Sequence, residues 1–419
     1  MIRFFLGLIY DLIYFLVLIL ASLCKPFLKK KSRDWIELRQ NCHFFASSIP
    51  QKNKRIWIHA SSGEIEYAKS LIREIKNQNA DTLIFVSYSS LSAPKLFKNI
   101  ESDVDYFFPL NWDTKSNNIK LIQKIKPQIL IFSRTDFWFN LIRCCEKHHI
   151  PMMAISVFPK INRINSLLFK LLLQKFKFIS AANEAVAQKL KCILPQIAIE
   201  FIPDTRFDQV FHRLHQPPKI QINSVNSAKS LITLGSTWPK DEAILIPNIP
   251  DLLNMNFTIV WAPHEILRCD DLIKKIQLLF PQINLLRTSQ FPDKQINSSF
   301  DILIIDEIGY LADAYRFSKI AFIGGSFVKK VHSVMEPLCA QNIVFVGPFH
   351  HNNPEALQFK NMNLVREFKS STEFLNLITE IQNTPHLYEN LKVETEKMIG
   401  GTNQNYEYIQ KIMMAVGPN

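Results

Sequence analysis

The sequence predicts an α/β protein: two Rossmann-like domains facing across a cleft, preceded by an N-terminal membrane-anchor helix. Three observations carry this. Short apolar runs alternate with helical-period segments from residue 55 onward, the pattern resumes after an aperiodic stretch near residue 220, and residues 2–24 are almost continuously apolar. Strand and helix alternating at this interval imply parallel βαβ units. Open sheets of that kind bind ligands at the carboxyl ends of their strands.

The anchor comes first. Ile2 to Cys24 is interrupted only by Arg3 and Asp11, and about 20 helical residues at about 1.5 Å each cross a hydrocarbon core of about 30 Å. Lys25, Lys29, Lys30, Lys31 and Arg33 follow the stretch while only Arg3 and the terminal amine lie at its start, which leaves the body in the cytoplasm. Asp11 is costly in mid-membrane, so a helix lying in the interface is the alternative to a single pass. The lysine cluster faces anionic head groups in either case.

In the first half the expected strands are Ile56–His59, Thr82–Ser87, Asp105–Phe108, Ile129–Phe132, Met152–Val157 and Phe178–Ala181, with amphipathic stretches such as Asn118–Lys126 and Phe137–Lys147 between them. Residues 211–229 hold a Pro-Pro pair and no sustained period, as a linker does. The runs LITLGS, FTIVWAP, DILIIDE, KIAFIGGS and NIVFVGP then build the second half. The expected division is 1–35 for the anchor and its basic flank, 45–210, a linker at 211–229, 230–385, and a helical segment at 386–419.

Composition narrows the chemistry. A length of 419 residues suits two or three domains. A net charge of +12 favours anionic partners, but the basic residues are not interleaved with aromatics, which argues against nucleic acid. Seven cysteines occur without a CxxC spacing, and the neighbouring pairs His148-His149 and His350-His351 point apart on any regular element. No metal site and no cofactor is expected.

The stretch HASSGEIEYA, residues 59–68, joins an expected strand to an expected helix. Gly63 permits the turn. Glu64 is either a helix-start carboxylate meeting free N–H groups or a base placed to take a proton. LGSTWPKDE at 234–242 puts Ser236 and Thr237 before a helix with Pro239 in its first turn, an anion site or a plain cap. WAPHEILR at 261–268 sets His264 and Arg268 after a strand, to grip a phosphate or to decorate a turn. Gly324-Gly325-Ser326 ends another strand without a GxGxxG pattern. Glu336, four residues after His332, is a ribose-binding carboxylate or a solvated one.

Taken in order, these pieces resemble the bacterial 3-deoxy-D-manno-octulosonic acid (Kdo) transferases of lipopolysaccharide synthesis. The resemblance rests on the membrane segment, Trp57 to Glu64, RTDFWFN at 134–140, DTRFDQV at 204–210, LGSTW, APHE, the DxxG at 306–309, FIGGSF and the region from HSVMEP to VGP. It implies a GT-B fold and inverting transfer of Kdo from CMP-Kdo to a lipid A precursor (lipid IVA) at the cytoplasmic face of the inner membrane. It implies that Glu64 is the catalytic base and that Ser236 and Thr237 hold the CMP phosphate, with His264 and Arg268 nearby. Gly325, Ser326 and Ile308 would border the nucleotide, with His332 in the adjoining loop, and Glu336 would bind its ribose. Asp136 is the candidate second carboxylate, stabilising an oxocarbenium-like centre. The chain departs from the family's H-A-x-S-V-G-E by one residue, has Arg134 and Asp136 in the E-T-E-L-W-P-N stretch, and has Lys330-Val331-His332-Ser333 where Gly-Gly-His-Asn is usual. Two other readings keep the fold: a non-catalytic membrane-bound relative that binds lipid or a partner, and a GT-B enzyme using a UDP-sugar.

Overall fold

The computed structural model describes residues 2–40, 49–50, 54–159, 166–223, 229–329, 331–351, 353–384, 386, 389–390, 393 and 404–416. Contacts divide the chain into unit 1, residues 1–208 with 402–419, and unit 2, residues 209–401.

Unit 1 opens with α1 (Ile2–Cys24) and α2 (Lys30–Gln40). Its sheet contains β1 (Arg55–His59), β2 (Leu83–Tyr88), β3 (Tyr106–Pro109), β4 (Ile129–Ser133), β5 (Met152–Val157), β6 (Phe178–Ala181) and β7 (Ala198–Phe201). They lie in the order 3-2-1-4-5-6-7, and every pairing is parallel. All five residues of β1 are buried, as a strand covered on both faces requires. Period-2 alternation sends Trp57 into the cluster with Phe108, Phe132 and Leu141, and Ile56 and Ile58 into the one on the opposite face. That second cluster is completed by a helix from the far end of the chain. In Gln404–Val416, Tyr408, Ile409 and Ile412 bury against Ile58 and Ile72, and the Tyr408 hydroxyl bonds Ser180 Oγ.

Unit 2 repeats the plan. After β8 (Gln221–Ile222) come β9 (Ser230–Thr237), β10 (Phe257–Pro263), β11 (Leu285–Arg287), β12 (Gln295–Ile296), β13 (Ile302–Ile304), β14 (Ile320–Ile323), β15 (Ile343–Val346) and β16 (Val365–Glu367). Seven form a parallel sheet in the order 11-13-10-9-14-15-16, while β8 pairs with β12 apart from it. The strands expected from periodicity are present in both halves. The stretch read as a linker differs: a helix runs on to Leu214 and β8 is paired, while 224–228 lie outside the described residues.

Both sheets change direction at one place, between β1 and β4 in unit 1 and between β9 and β14 in unit 2. Loops leaving these neighbours diverge to opposite sides and open a crevice at the carboxyl ends. HASSGE follows β1, Arg134-Thr135-Asp136 follows β4, LGST ends β9 and Gly324-Gly325-Ser326 follows β14. These four motifs therefore sit at the two switch points, while APHE follows β10 and the DxxG at 306–309 follows β13.

The candidate anchor α1 is long and apolar enough to cross a membrane by length and composition. Asp11 does not stand alone on it: Lys115 Nζ lies 2.5 Å away, Arg143 lies 3.7 Å away, and Asn140 Nδ2 donates to it at 2.9 Å.

Candidate active site

The first cluster is built on β1 and β4. Backbone turns after His59 through Ala60, Ser61 and Ser62 into a short 3-10 helix, Gly63–Tyr67. One carboxylate oxygen of Glu64 accepts the Ser61 N–H at 3.0 Å, and Ser133 Oγ donates to the Glu64 carbonyl at 2.6 Å. The side chain thus meets one free N–H of the turn, as a helix-start residue would. Its other oxygen has no hydrogen-bond partner among the described residues.

Asp136 reaches the same end of the sheet from the loop after β4. Its Oδ2 accepts from Ser89 Oγ at 2.7 Å, from His59 Nε2 at 3.0 Å and from Trp138 Nε1 at 3.2 Å. An ionised carboxylate only accepts, so His59 Nε2 facing Asp136 carries its proton, and the Trp138 indole, 3.1 Å from that nitrogen, donates to Asp136 instead. Behind the ring, Nδ1 lies 2.9 Å from Ser87 Oγ, which also accepts from Trp57 Nε1 at 2.9 Å. His59 is fully buried, and Phe132 packs edge-on against it.

The two carboxylates have opposite electrostatics. Burial, and then the charge of Asp136, raise the Glu64 pKa above the ordinary glutamate value, against the Ser61 N–H and the nearby His59 and Arg134. Burial acts on Asp136 in the same direction, but the hydrogen bonds from His59, Ser89 and Trp138 outweigh it and hold Asp136 below the usual carboxylate range. Glu64 holds its proton to higher pH than an ordinary glutamate while Asp136 stays ionised, a division that suits an acid/base pair.

Arg134 takes a left-handed backbone, φ 67. Its guanidinium lies over the Tyr67 ring at 4.4 Å and over Phe158 at 5.6 Å, and donates to the Ser156 carbonyl. The cation is used in packing beside Glu64.

The second cluster is built on β9, β10 and β14. Ser236 also has a left-handed backbone, φ 54, and β14 approaches so closely that a Cβ on Gly324 would lie 2.1 Å from the Ser236 carbonyl oxygen. Buried Asp241 locks the turn, accepting from Trp238 N, Gly325 N and Phe327 N at 2.8, 2.8 and 3.1 Å. Ser326 is buried, donating to the Ile323 carbonyl and accepting from Gly347 N. Three rings stack beside the turn. His264 lies between Trp238 and His332 with centroids 4.7 and 4.3 Å away, and Trp238 Nε1 donates to His332 Nε2 at 3.0 Å.

Other predicted residues are placed differently. Thr237 is buried, its hydroxyl donating to Glu242 at 3.2 Å and accepting from Trp261 Nε1 at 2.9 Å. Arg268 makes a two-pronged contact with Glu242, at 3.1 and 2.7 Å, so its charge is spent on a residue only 4% exposed. Ile308 is 89% exposed, next to Gly309 with φ 102. Glu336 is half-buried in the first turn of Met335–Cys339, close enough for its charge to act on buried Tyr315. The sequence reading gave no role to His59, Ser89, Trp138, Trp238 or Asp241. The stretches HASSGEIEYA and RTDFWFN held His59 and Trp138, and the SYSSLS run at 87–92 held Ser89.

Known proteins resemble the chain in sequence and in fold. Residues 37–209 match the family model described as 3-deoxy-D-manno-octulosonic-acid transferase (kdotransferase). The chain is 22% identical over 377 residues to the 3-deoxy-D-manno-octulosonic acid transferase of Rickettsia typhi, covering 87% of this chain and 79% of that protein. It is 24% identical over 343 residues to the one from Aquifex aeolicus, covering 81% and 89%. A bifunctional glycosyltransferase/methyltransferase of Fusobacterium nucleatum is 24% identical over 383 residues, and the chain, 87% of which is covered, spans only 58% of that protein's length. In fold the chain is similar to a UDP-GlcNAc 2-epimerase from Neisseria meningitidis, with TM-score 0.58, 14% identity, and coverage of 86% and 99%. It is also similar to MurG of Acinetobacter baumannii, with TM-score 0.53, 10% identity, and coverage of 85% and 98%. The two-unit GT-B architecture expected from the sequence is thereby shown.

Proposed function

We propose that this chain, matched over residues 37–209 by the Kdo transferase family model and similar to Kdo transferases over most of its length, is an inverting glycosyltransferase that moves Kdo from CMP-Kdo to a lipid A precursor at the cytoplasmic face of the inner membrane. The supporting observation is the pair Glu64 and Asp136, whose pKa values are displaced in opposite directions at one switch point.

A sugar hydroxyl becomes an effective nucleophile when a positioned carboxylate takes its proton in the transition state. Glu64 supplies that base. The acceptor oxygen bonds to the anomeric carbon of Kdo as that carbon's bond to the CMP phosphate oxygen breaks, and the electron pair leaves with CMP. The acceptor's proton passes to the free Glu64 oxygen. Asp136, held ionised by His59, Ser89 and Trp138, stabilises positive charge growing at the anomeric centre. Attack opposite to the leaving group inverts the configuration.

Unit 2 supplies the donor site. The Ser236 turn, with Thr237 behind it, and the ring of His264 meet the phosphate. Gly325 and Ser326 bring backbone close to the nucleotide, with Ile308 at its border, His332 in the stack and Glu336 on the ribose. Arg268 acts indirectly, by fixing Glu242 and through it Thr237. Incubation of the full chain with CMP-Kdo and lipid IVA tests the reading: CMP is released and the lipid gains the mass of Kdo. Thermal protection by UDP and not by CMP, with no Kdo product, would overturn it.

A further inference from the structure

α1 has two unlike faces. Gly7, Tyr10, Asp11 and Tyr14 recur at helical spacing, and all four meet unit 1. Asp11 lies between Lys115, Arg143 and Asn140. The Tyr10 hydroxyl donates to Asp113 Oδ2 at 2.9 Å, and the Tyr14 hydroxyl accepts the Asp113 N–H at 2.8 Å. Their rings pack on Phe139 and Trp112, and Gly7 is small because the Arg143 guanidinium fills the place of a side chain. The opposite face is an apolar ridge of exposed side chains, among them Leu8, Leu12, Phe15, Leu16 and Leu23.

This docking is incompatible with a bilayer crossing. With the helix held through Tyr14, the segment from Phe15 to Cys24 reaches only about 15 Å at about 1.5 Å per residue. A hydrocarbon core is about 30 Å thick. Undocking to gain length would strip Asp11 of two cations, carry its carboxylate into lipid and take two partners from buried Asp113. A helix with a docked polar stripe and an apolar ridge, followed by Lys29, Lys30, Lys31 and Arg33, has the layout of one lying in the membrane surface.

α2 follows directly and walls a cavity of about 550 Å³ with Lys31, Ser32 and Trp35, the other wall being Ser90, Ser92 and Lys95. Neither lysine has a carboxylate partner among the described residues. The far wall is the loop that supports the acidic pair: Ser92 Oγ bonds Ser62 Oγ at 2.6 Å, and Trp35 Nε1 donates to the carbonyl of Ser89, which itself donates to Asp136.

We propose that α1 lies in the bilayer surface without crossing it, and that α2 so holds this cavity at head-group level, where Lys31 and Lys95 take a phosphomonoester of a membrane lipid. The second part deepens the acceptor-site reading above and rests on it for the ligand's role.

Two measurements, both independent of any sugar donor, test the proposal. For the full chain with an N-terminal epitope tag, protease added to intact spheroplasts leaves the tag whole, and digestion follows only after permeabilisation. Loss of the tag in intact spheroplasts, with a cytoplasmic control protected, would overturn the flat helix. In flotation assays the full chain binds vesicles containing phosphatidic acid about tenfold more tightly than phosphatidylglycerol vesicles of matched charge. The Lys31→Ala/Lys95→Ala variant, with an unchanged far-UV spectrum, loses that difference while still floating through α1. Equal affinity of the wild-type chain for both vesicles, or an undiminished difference in the variant, would overturn the head-group site. Failure here leaves the transferase assay intact, and failure of that assay leaves these results standing.

Discussion

His59→Ala exposes how the acidic pair is held. The imidazole is fully buried and donates one of three hydrogen bonds to Asp136, at 3.0 Å, the others coming from Ser89 and Trp138. Removing a hydrogen bond to a charged group costs about 1.5–3 kcal/mol. Losing the edge-on contact with Phe132, at 5.9 Å and 73°, adds about 0.5–1.5 kcal/mol. The sum is about 2–4.5 kcal/mol.

Urea unfolding of the full chain in detergent, with wild type and variant at the same slope, reads this loss as a lower midpoint. The sign of the pH dependence is fixed by Asp136. Its folded pKa lies below the unfolded value of about 3.9, so its stabilisation is fully present above that value and disappears as pH falls through the folded pKa. The unfolded value is common to both proteins, so the gap between them stays level above about 3.9 and narrows below it, as pH falls through the variant's folded pKa towards that of the wild type. A loss below about 1 kcal/mol, or a gap that stays constant over that range, would refute the reasoning and reduce His59 to a packing residue.

Further outcomes follow from individual contacts. Because Glu64 must be ionised to act and its pKa is raised, kcat/KM falls on the acid side at a higher pH than an ordinary glutamate would give. Asp136→Asn removes a charge that contributes to this rise and moves the acid limb to lower pH while reducing kcat; an unmoved limb contradicts the coupling. Arg268→Ala leaves Glu242, 4% exposed, without its cation and costs about 3–5 kcal/mol of stability, while CMP affinity measured by calorimetry on the folded variant changes less than tenfold. Gly324→Ala forces a Cβ against the Ser236 carbonyl oxygen, so the turn must shift and CMP binding weakens at least tenfold by the same method; unchanged affinity would separate this turn from the donor site.

The central strands were legible because each is buried on both faces and holds an unbroken apolar stretch, Ile56–Ile58, Ile129–Phe132 and Ile259–Pro263: RIWIH, ILIFS and FTIVWAP are buried throughout. Of the edge strands, β3 was expected and the other three were not. β7 is AIEF with an exposed alanine, and β11 and β16 are three-residue segments, each carrying an arginine. Nothing local distinguishes such pieces from loops, because neighbouring strands impose their conformation. Residues 211–229 misled for a related reason: the Pro-Pro pair marks a break, but Gln221 and Ile222 become a strand only by pairing with residues 295–296.

The turns at Gly63-Glu64, Ser236 and Gly325 were legible as strand ends because glycines and hydroxyls follow the strands there, whereas Asp136 was named only after the family resemblance. The support behind them was not. His59 meets Asp136 across 77 positions of sequence, and Asp241 meets Gly325 across 84. Arg268 reads as a free cation until Glu242 is seen beneath it, and Asp11 reads as a membrane liability until Lys115 and Arg143 are seen beside it.

Glu64→Gln bears most directly on the catalytic claim. Glutamine matches glutamate in shape, and its carbonyl oxygen can still accept the Ser61 N–H, so the turn is preserved while the base is lost. With saturating CMP-Kdo and lipid IVA, single-turnover CMP release slows by about 10²–10⁴-fold, the usual share of a general base, with nucleotide affinity and unfolding midpoint retained. A folded variant that releases CMP within threefold of the wild-type rate would contradict the account.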